Sequence, residues 1–218
     1  MHPEPSRKRL PRKVREQQML DAAVQVFSAR GFHATSMDEI AERAQVSKPL
    51  LYLYLGSKEE TFSACIAREA DRLVDSIGSA ARSPADEPGE RLMQGLTAFF
   101  GYVAANRDSW VVLYQQARSQ SGAVAEQLAR ARAEIVDTVT ELVRQSMELD
   151  QAREGGSGYA ALRREAAAIA HALVGAADAL ADWALTVPGE QPEATARRLM
   201  NLIWIGLERR GKGEGYGS

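Results

Sequence analysis

Residues 35–60, TSMDEIAERAQVSKPLLYLYLGSKEE, constrain this chain more than any other stretch. They hold the start and stop signals of two short helices and the start of a third. Ser36 is a good N-cap with Glu39 three residues on, the pattern of a capping box. Met37, Ile40, Ala41 and Ala44 then recur at helical spacing and form one apolar face. Gln45-Val46 reads as a turn, with Val46 plugging the gap between helices. Ser47 is the next N-cap, and Pro49 falls in a first turn, where a missing N–H costs nothing. Gly56 ends that helix, and Ser57 with Glu60 makes a second capping box. Helix, three-residue turn, helix is the spacing that presents the second helix to the major groove of a duplex.

The rest of the chain also reads as helices. Apolar spacing predicts a first helix over residues 12–30, striped by Leu20, Ala23, Val24 and Phe27 and closed by Gly31. A fourth runs from Ser57 through Phe62, Ile66, Leu73 and Ile77. Residues 83–89 form a loop. Further helices are expected over 90–105, 108–118, 121–149, 159–185 and 191–210, with a linker at 150–158. This is an all-α chain of about nine helices with no strand pattern and no internal repeat. It divides into a disordered basic arm (1–11), a helix-turn-helix domain (12–56), a helical body (57–210) and a flexible tail (211–218).

Charge is distributed unevenly. Residues 1–58 carry ten Lys/Arg against six Asp/Glu; the remainder carries 17 against 23. A basic amino-terminal domain on an acidic body suits a chain that grips a polyanion by one end. The cluster from Arg7 to Arg15 reads either as a solvated tail or as an arm on the DNA backbone. Arg12, Lys13 and Arg15 open a helix, where the macrodipole disfavours positive charge unless phosphates lie close. No apolar run approaches the ~20 residues that span a bilayer, and no signal peptide is legible. A single cysteine, Cys65, excludes an internal disulfide and fits a reducing cytoplasm. It is either a redox sensor or an inert buried thiol.

The sequence resembles the tetracycline-repressor (TetR/AcrR-type) transcriptional regulators. The resemblance rests on Gly31-Phe32, Thr35-Ser36-Met37, Ile40-Ala41, Ala44, Val46-Ser47-Lys48, Leu51-Tyr52, Tyr54 and Ser57-Lys58-Glu59, within residues 12–62. Gln45 stands where members usually have Gly and Leu55 where they usually have Phe. Leu50 and Leu53 stand where small or polar residues are common. The resemblance implies a homodimer that binds a palindromic double-stranded operator, and a small-molecule effector held in the body. Tyr52 then faces a backbone phosphate and Tyr54 packs inside.

Within the reader, the amide ends at Ser36-Met37 and Lys58 suit phosphate, and Arg12 and Thr35 flank them. Ser47 and Lys48 stand at the tip of the reading helix, where Lys48 can reach guanine. Pro49 and Leu50 can meet thymine methyls, and Leu53 can lie along the groove wall. Leu50, Leu51 and Leu53 cannot all pack inside from one helix face, so at least one is expected to be exposed.

The body leaves more open. Phe99, Phe100, Tyr102, Trp110 and Tyr114 form either core or the wall of a ligand cavity. Ile66, Phe99, Tyr102, Trp110, Tyr114, Thr138, His171 and Asp178 are the candidate ligand-binding residues, with Gln116 as a further polar group. His171 and Asp178, seven apart on one helix, are either pocket groups or a structural pair. The last two helices, through Leu173, Ala177, Leu199, Ile203 and Leu207, read as a dimerisation surface or as monomer core. No CxxC, HExxH, GxSxG or phosphate-binding glycine loop is present, so no metal, cofactor or catalytic role is assigned. The reading is a cytoplasmic, ligand-released DNA-binding repressor with no membrane partner. The alternatives are a regulator whose body binds a protein, or a helical enzyme.

Overall fold

The computed structural model describes residues 11–82, 87–117, 122–154 and 159–211, with the side chains of 88, 148–154, 159–161 and 204–211 excepted. The expectations for the basic arm before Pro11, for the tail after Gly211, for residues 83–86 and 155–158, and for the Leu207 side chain fall outside that description. Among the described residues the chain is helical throughout, with no strand. Nine α-helices follow in order: α1 (Arg12–Ala34), α2 (Met37–Arg43), α3 (Lys48–Leu55), α4 (Lys58–Ala81), α5 (Pro88–Ala105), α6 (Arg107–Trp110), α7 (Ala123–Glu154), α8 (Tyr159–Ala184) and α9 (Pro192–Gly211). A π-helical segment, Val111–Gln116, continues α6. The chain forms two compact units, Met1–Glu69 with Asp108–Ala125, and Ala70–Arg107 with Glu126–Ser218.

The first unit is built on α1. Its buried stripe is Met19, Leu20, Ala23, Val24 and Phe27. Gly31 leaves helical geometry at φ 78°, as its place at the helix end requires. The bend swings Phe32 onto Phe62 of α4, 4.9 Å between ring centres, and Phe62 also meets Phe27 edge-on at 4.8 Å. The last carbonyls of a helix have no partner within it. Here Gln116 Nε2 donates to the carbonyl of Phe27 at 2.6 Å, and the Ser28 hydroxyl donates to Asp108 at 2.8 Å. The segment 108–117 is thereby docked on α1.

α2 begins with the capping box read from sequence: Glu39 N–H donates to Ser36 Oγ, and Ser36 N–H donates back to Glu39. It ends in a Schellman pattern. Val46 N–H donates to the Ala41 carbonyl and Gln45 N–H to that of Glu42, each at 3.0 Å. Gln45 is the residue that must turn left-handed, and its φ is 55°. That is the physical reason a glycine suits this position. Ser47 sits at the N-cap of α3 but makes no side-chain cap bond, a departure from the expectation. Ser57 and Glu60 do form the second box, with Ser57 N–H to Glu60 at 2.7 Å and Glu60 N–H to Ser57 Oγ at 3.1 Å. These bonds hold the Glu60 carboxyl below its usual range.

In the second unit α5 packs on α9 and α8, and α8 on α9. Ala166, Ala170, Leu173, Ala177 and Ala181 line the buried face of α8, and small side chains there let the neighbours come close. Several boundaries differ from expectation, and α1 runs on past the kink at Gly31 to Ala34. α5 starts two residues early because Pro88 is suited to a first helical turn. α7 runs on to Glu154 through DQARE, polar residues that are mostly good helix formers, where a linker was expected. The stretch expected as one helix from 108 is four α-helical residues followed by the π segment.

Relieving the left-handed strain at Gln45 should be measurable. Gln45→Gly is expected to raise unfolding stability by about 0.5–1 kcal/mol, and Gln45→Val to lower it by more than about 1 kcal/mol. Denaturant midpoints report both; a destabilised glycine variant would contradict this account of the turn.

Candidate nucleic-acid interface

α3 is anchored by two leucines four apart. Leu51 and Leu55 are buried, and the helix packs on α2 and α1. A helix with that face inward turns residues 49 and 53 outward and 52 to the flank, while 48 is left open as the first residue of the helix. Ser47, Lys48 and Pro49 are exposed, as are Tyr52 (44%) and Leu53 (72%); Leu50 is half-buried. Leu53 is the leucine that the inner face cannot accommodate.

The cations around this face already have partners. Lys48 Nζ donates to Asp38 Oδ2 of α2 at 2.8 Å, and this bond raises the lysine pKa. Asp38 was not singled out from the sequence; ten residues and a turn separate it from Lys48, and no periodicity links them. The Arg12 guanidinium lies 5.4 Å from the centre of the half-buried Tyr54 ring. Lys58 Nζ donates to the carbonyls of His33 and Thr35, at 3.3 and 3.2 Å, and lies 4.8 Å from the centre of the Phe32 ring. Lys58 therefore closes the α1–α2 junction.

Two sequence-nominated side chains face inward. Thr35 is buried and its hydroxyl donates to the Gly31 carbonyl at 2.8 Å. Met37 is buried and its sulfur accepts from the Thr61 hydroxyl. At Met37 that leaves only the backbone N–H for a phosphate, and at Thr35 the backbone N–H is itself donated to the Gly31 carbonyl at 3.2 Å. Ser36 is exposed, its hydroxyl held in the capping box.

The nominated ligand residues fall into two groups. Ile66, Trp110 and Tyr114 belong to the first unit, where Ile66 and Trp110 are buried and Tyr114 stacks on Trp110 at 4.5 Å. Phe99, Tyr102, Thr138, His171 and Asp178 belong to the second. Phe99 is buried edge-on to Phe100, Tyr102 is half-buried, and the Thr138 hydroxyl donates to the Glu134 carbonyl one turn back. His171 is exposed whereas Asp178 is buried and ion-paired to Arg132 of α7, so the two do not share an environment. A small opening in the second unit is lined instead by Phe100, Val103, Ala181, Leu185, Glu190 and Thr195, among others.

Of the nominated dimer residues, Leu173, Ala177 and Leu199 are buried within the protomer itself, and Ile203 is half-buried. Among the described residues, the large apolar side chains that α8 and α9 expose are Trp183 (43%) and Leu202 (72%). Among the described residues no three His, Cys, Asp or Glu are placed to hold a metal, and no helix is long and apolar enough to cross a membrane.

Residues 19–65 match the signature of bacterial regulatory proteins of the tetR family, and residues 88–206 match a tetracyclin repressor-like C-terminal domain. The chain belongs to the tetR family. It is 37% identical over 145 residues to the transcriptional activator FasR of Mycolicibacterium smegmatis, an alignment spanning 66% of each chain and so just under two thirds of that relative. A TetR-like regulator from Rhodococcus sp. RHA1 is 44% identical, with 92% of this chain and 99% of that one aligned at a TM-score of 0.76. FadR of Bacillus subtilis, solved in complex with stearoyl-CoA, shares the fold at 18% identity, with 86% and 96% covered and a TM-score of 0.70. Members of this family are DNA-binding transcriptional regulators, and this chain is one of them.

Cys65 is buried in the first unit, and burial pushes its thiol up to about 12, against a smaller opposing effect of Arg68. The folded state thus holds the thiol protonated, and stability falls as pH rises above the unfolded thiol's ~8.5. A disulfide reagent at pH 8 should leave the native protein unmodified and label it fully in denaturant. Rapid native labelling would reinstate the redox reading.

Proposed function

We propose that this regulator binds a two-fold symmetric operator as a homodimer in the cytoplasm and is released from it by a small apolar or amphipathic effector. The observation that carries the DNA reading is the exposed side of α3, on which Lys48, Pro49, Tyr52 and Leu53 all reach solvent. In this reading Lys48 exchanges Asp38 for guanine O6/N7, and Leu53 with Pro49 meets thymine methyls. Tyr52 and the amide end of α4 take phosphates, as does Arg12 once it leaves Tyr54. Two such helices must stand about 34 Å apart to enter successive major grooves. Trp183 and Leu202, exposed on α8 and α9, support a subunit contact there.

Repression follows from occupying the promoter. α4 contributes Lys58–Glu69 to the reader unit and Ala70–Ala81 to the other, so an effector that favours a different setting of α4 would change the spacing of the readers. It can do so only by as much as its affinity differs between the two settings. The fold shared with B. subtilis FadR, which holds stearoyl-CoA, supports an amphipathic effector.

The test is a titration of promoter fragments at several salt concentrations, with native mass spectrometry for subunit count. Lys48→Ala should relax sequence choice at one position, costing about 1–3 kcal/mol on the preferred site. Tyr52→Phe should weaken binding uniformly. Lys58→Ala should do the same and also lower the melting temperature, since its ammonium ties two backbone carbonyls. Three variants indistinguishable from the parent, or a monomer that ignores DNA at low salt, would overturn the assignment.

A further inference from the structure

Lys48 is the one charged residue of α3, KPLLYLYL. Its ammonium donates to Asp38 Oδ2 of α2 at 2.8 Å, and both side chains stand open to solvent, 48% and 69% exposed. The capping box that starts α2 is made by Ser36 and Glu39 without Asp38, and Glu39 also pairs with Arg30 at 3.6 Å. Asp38 thus serves the tip of α3 and not the cap of its own helix. Exposed ion pairs contribute little to stability, so this one does little for the fold.

A duplex against α3 changes that balance. When Lys48 leaves Asp38 for guanine O6 and N7, a carboxylate is stranded beside a polyanion, and a carboxylate can only accept hydrogen bonds. Left unpaired there it would cost binding energy, so it needs a donor. The base edges of the major groove offer donors of one kind, the exocyclic amino groups at cytosine N4 and adenine N6. In a G·C pair the cytosine amino group is bonded to guanine O6, roughly one hydrogen-bond length away. The acceptors that suit Lys48 and the donor that suits Asp38 therefore lie side by side, as the two protein groups do. An A·T pair separates its acceptors on either side of N6, so it cannot give Lys48 two adjacent ones. The reversed pair, C·G, would set acceptors against the carboxylate.

We propose that Asp38 is a specificity-determining residue, which accepts from the cytosine amino group of the G·C pair whose guanine Lys48 reads. The ion pair within the protein is exchanged for contacts to both halves of one base pair, and neither charge is left without a partner. Lys48 alone selects guanine; Asp38 adds the identity of the opposite strand. This rests on the DNA reading above, since it needs α3 in the major groove.

The test begins with duplexes that the whole parent chain selects from a random pool. The position whose preference Lys48→Ala relaxes should be a G·C pair. There the cytosine is replaced by 2-pyrimidinone, which lacks only the amino group, and both duplexes are titrated by fluorescence anisotropy with the parent, Asp38→Ala and Asp38→Asn. The parent should lose about tenfold more on the replacement than Asp38→Ala does, the scale of one hydrogen bond to a charged group. Asp38→Asn keeps an acceptor oxygen without the charge and should fall between them. Asp38 is exposed and outside the cap, so both variants should fold; melting temperatures check this. Equal losses in the parent and Asp38→Ala overturn the role of Asp38 while leaving the DNA reading intact. So does a preference at the Lys48 position for any pair other than G·C. A parent that selects no sequence from the pool overturns the DNA reading itself, and Asp38 with it.

Discussion

Everything the reader does depends on the burial of Leu51 and Leu55. α3 is eight residues long, too short to persist in water on its own. Two buried leucines contribute about 1.5–3 kcal/mol each, enough to hold such a helix on α1 and α2. The same anchoring fixes its rotation. With positions 51 and 55 inward, Pro49 and Leu53 have to face out and Tyr52 stands at the flank, while Lys48 is open at the tip of the helix. A rotation of one residue would expose Leu51 and withdraw Leu53, so the core selects the face that is offered to a duplex.

The cations of that face are not idle before DNA arrives. Lys48 is on Asp38, Arg12 on the Tyr54 ring, and Lys58 on two carbonyls and the Phe32 ring. Exposed pairs of this kind contribute little to stability, so exchanging them for phosphate or base contacts costs little as well. They do hold long side chains near the conformations they need. Lys58 differs from the others because its partners are backbone groups at a helix junction. Its charge serves the fold first.

The aromatic segment 108–117 illustrates how tertiary packing decides between two uses of the same residues. Trp110 and Tyr114 read from sequence as either core or the wall of a cavity. α1 kinks at Gly31, and Gln116 reaches the carbonyls of Phe27 and Ser28 in the turn before the kink. Trp110 is buried and stacked on Tyr114. In the other unit Asp178, which looks like a pocket group from its helical register with His171, is neutralised by Arg132.

What the amino-acid sequence alone determined is local. Capping boxes at Ser36 and Ser57, the break at Gly31 and the proline in the first turn of α3 are read directly, because each depends on residues within four positions of one another. The reader unit was legible for that reason, and the family with it. Partners far apart in sequence were not. The Lys48–Asp38 pair, the inward turn of Thr35 and Met37 and the docking of Gln116 on α1 all depend on contacts made through space. Only the packing of helices decides those distances, and helical periodicity records which face is apolar without recording which neighbour will cover it.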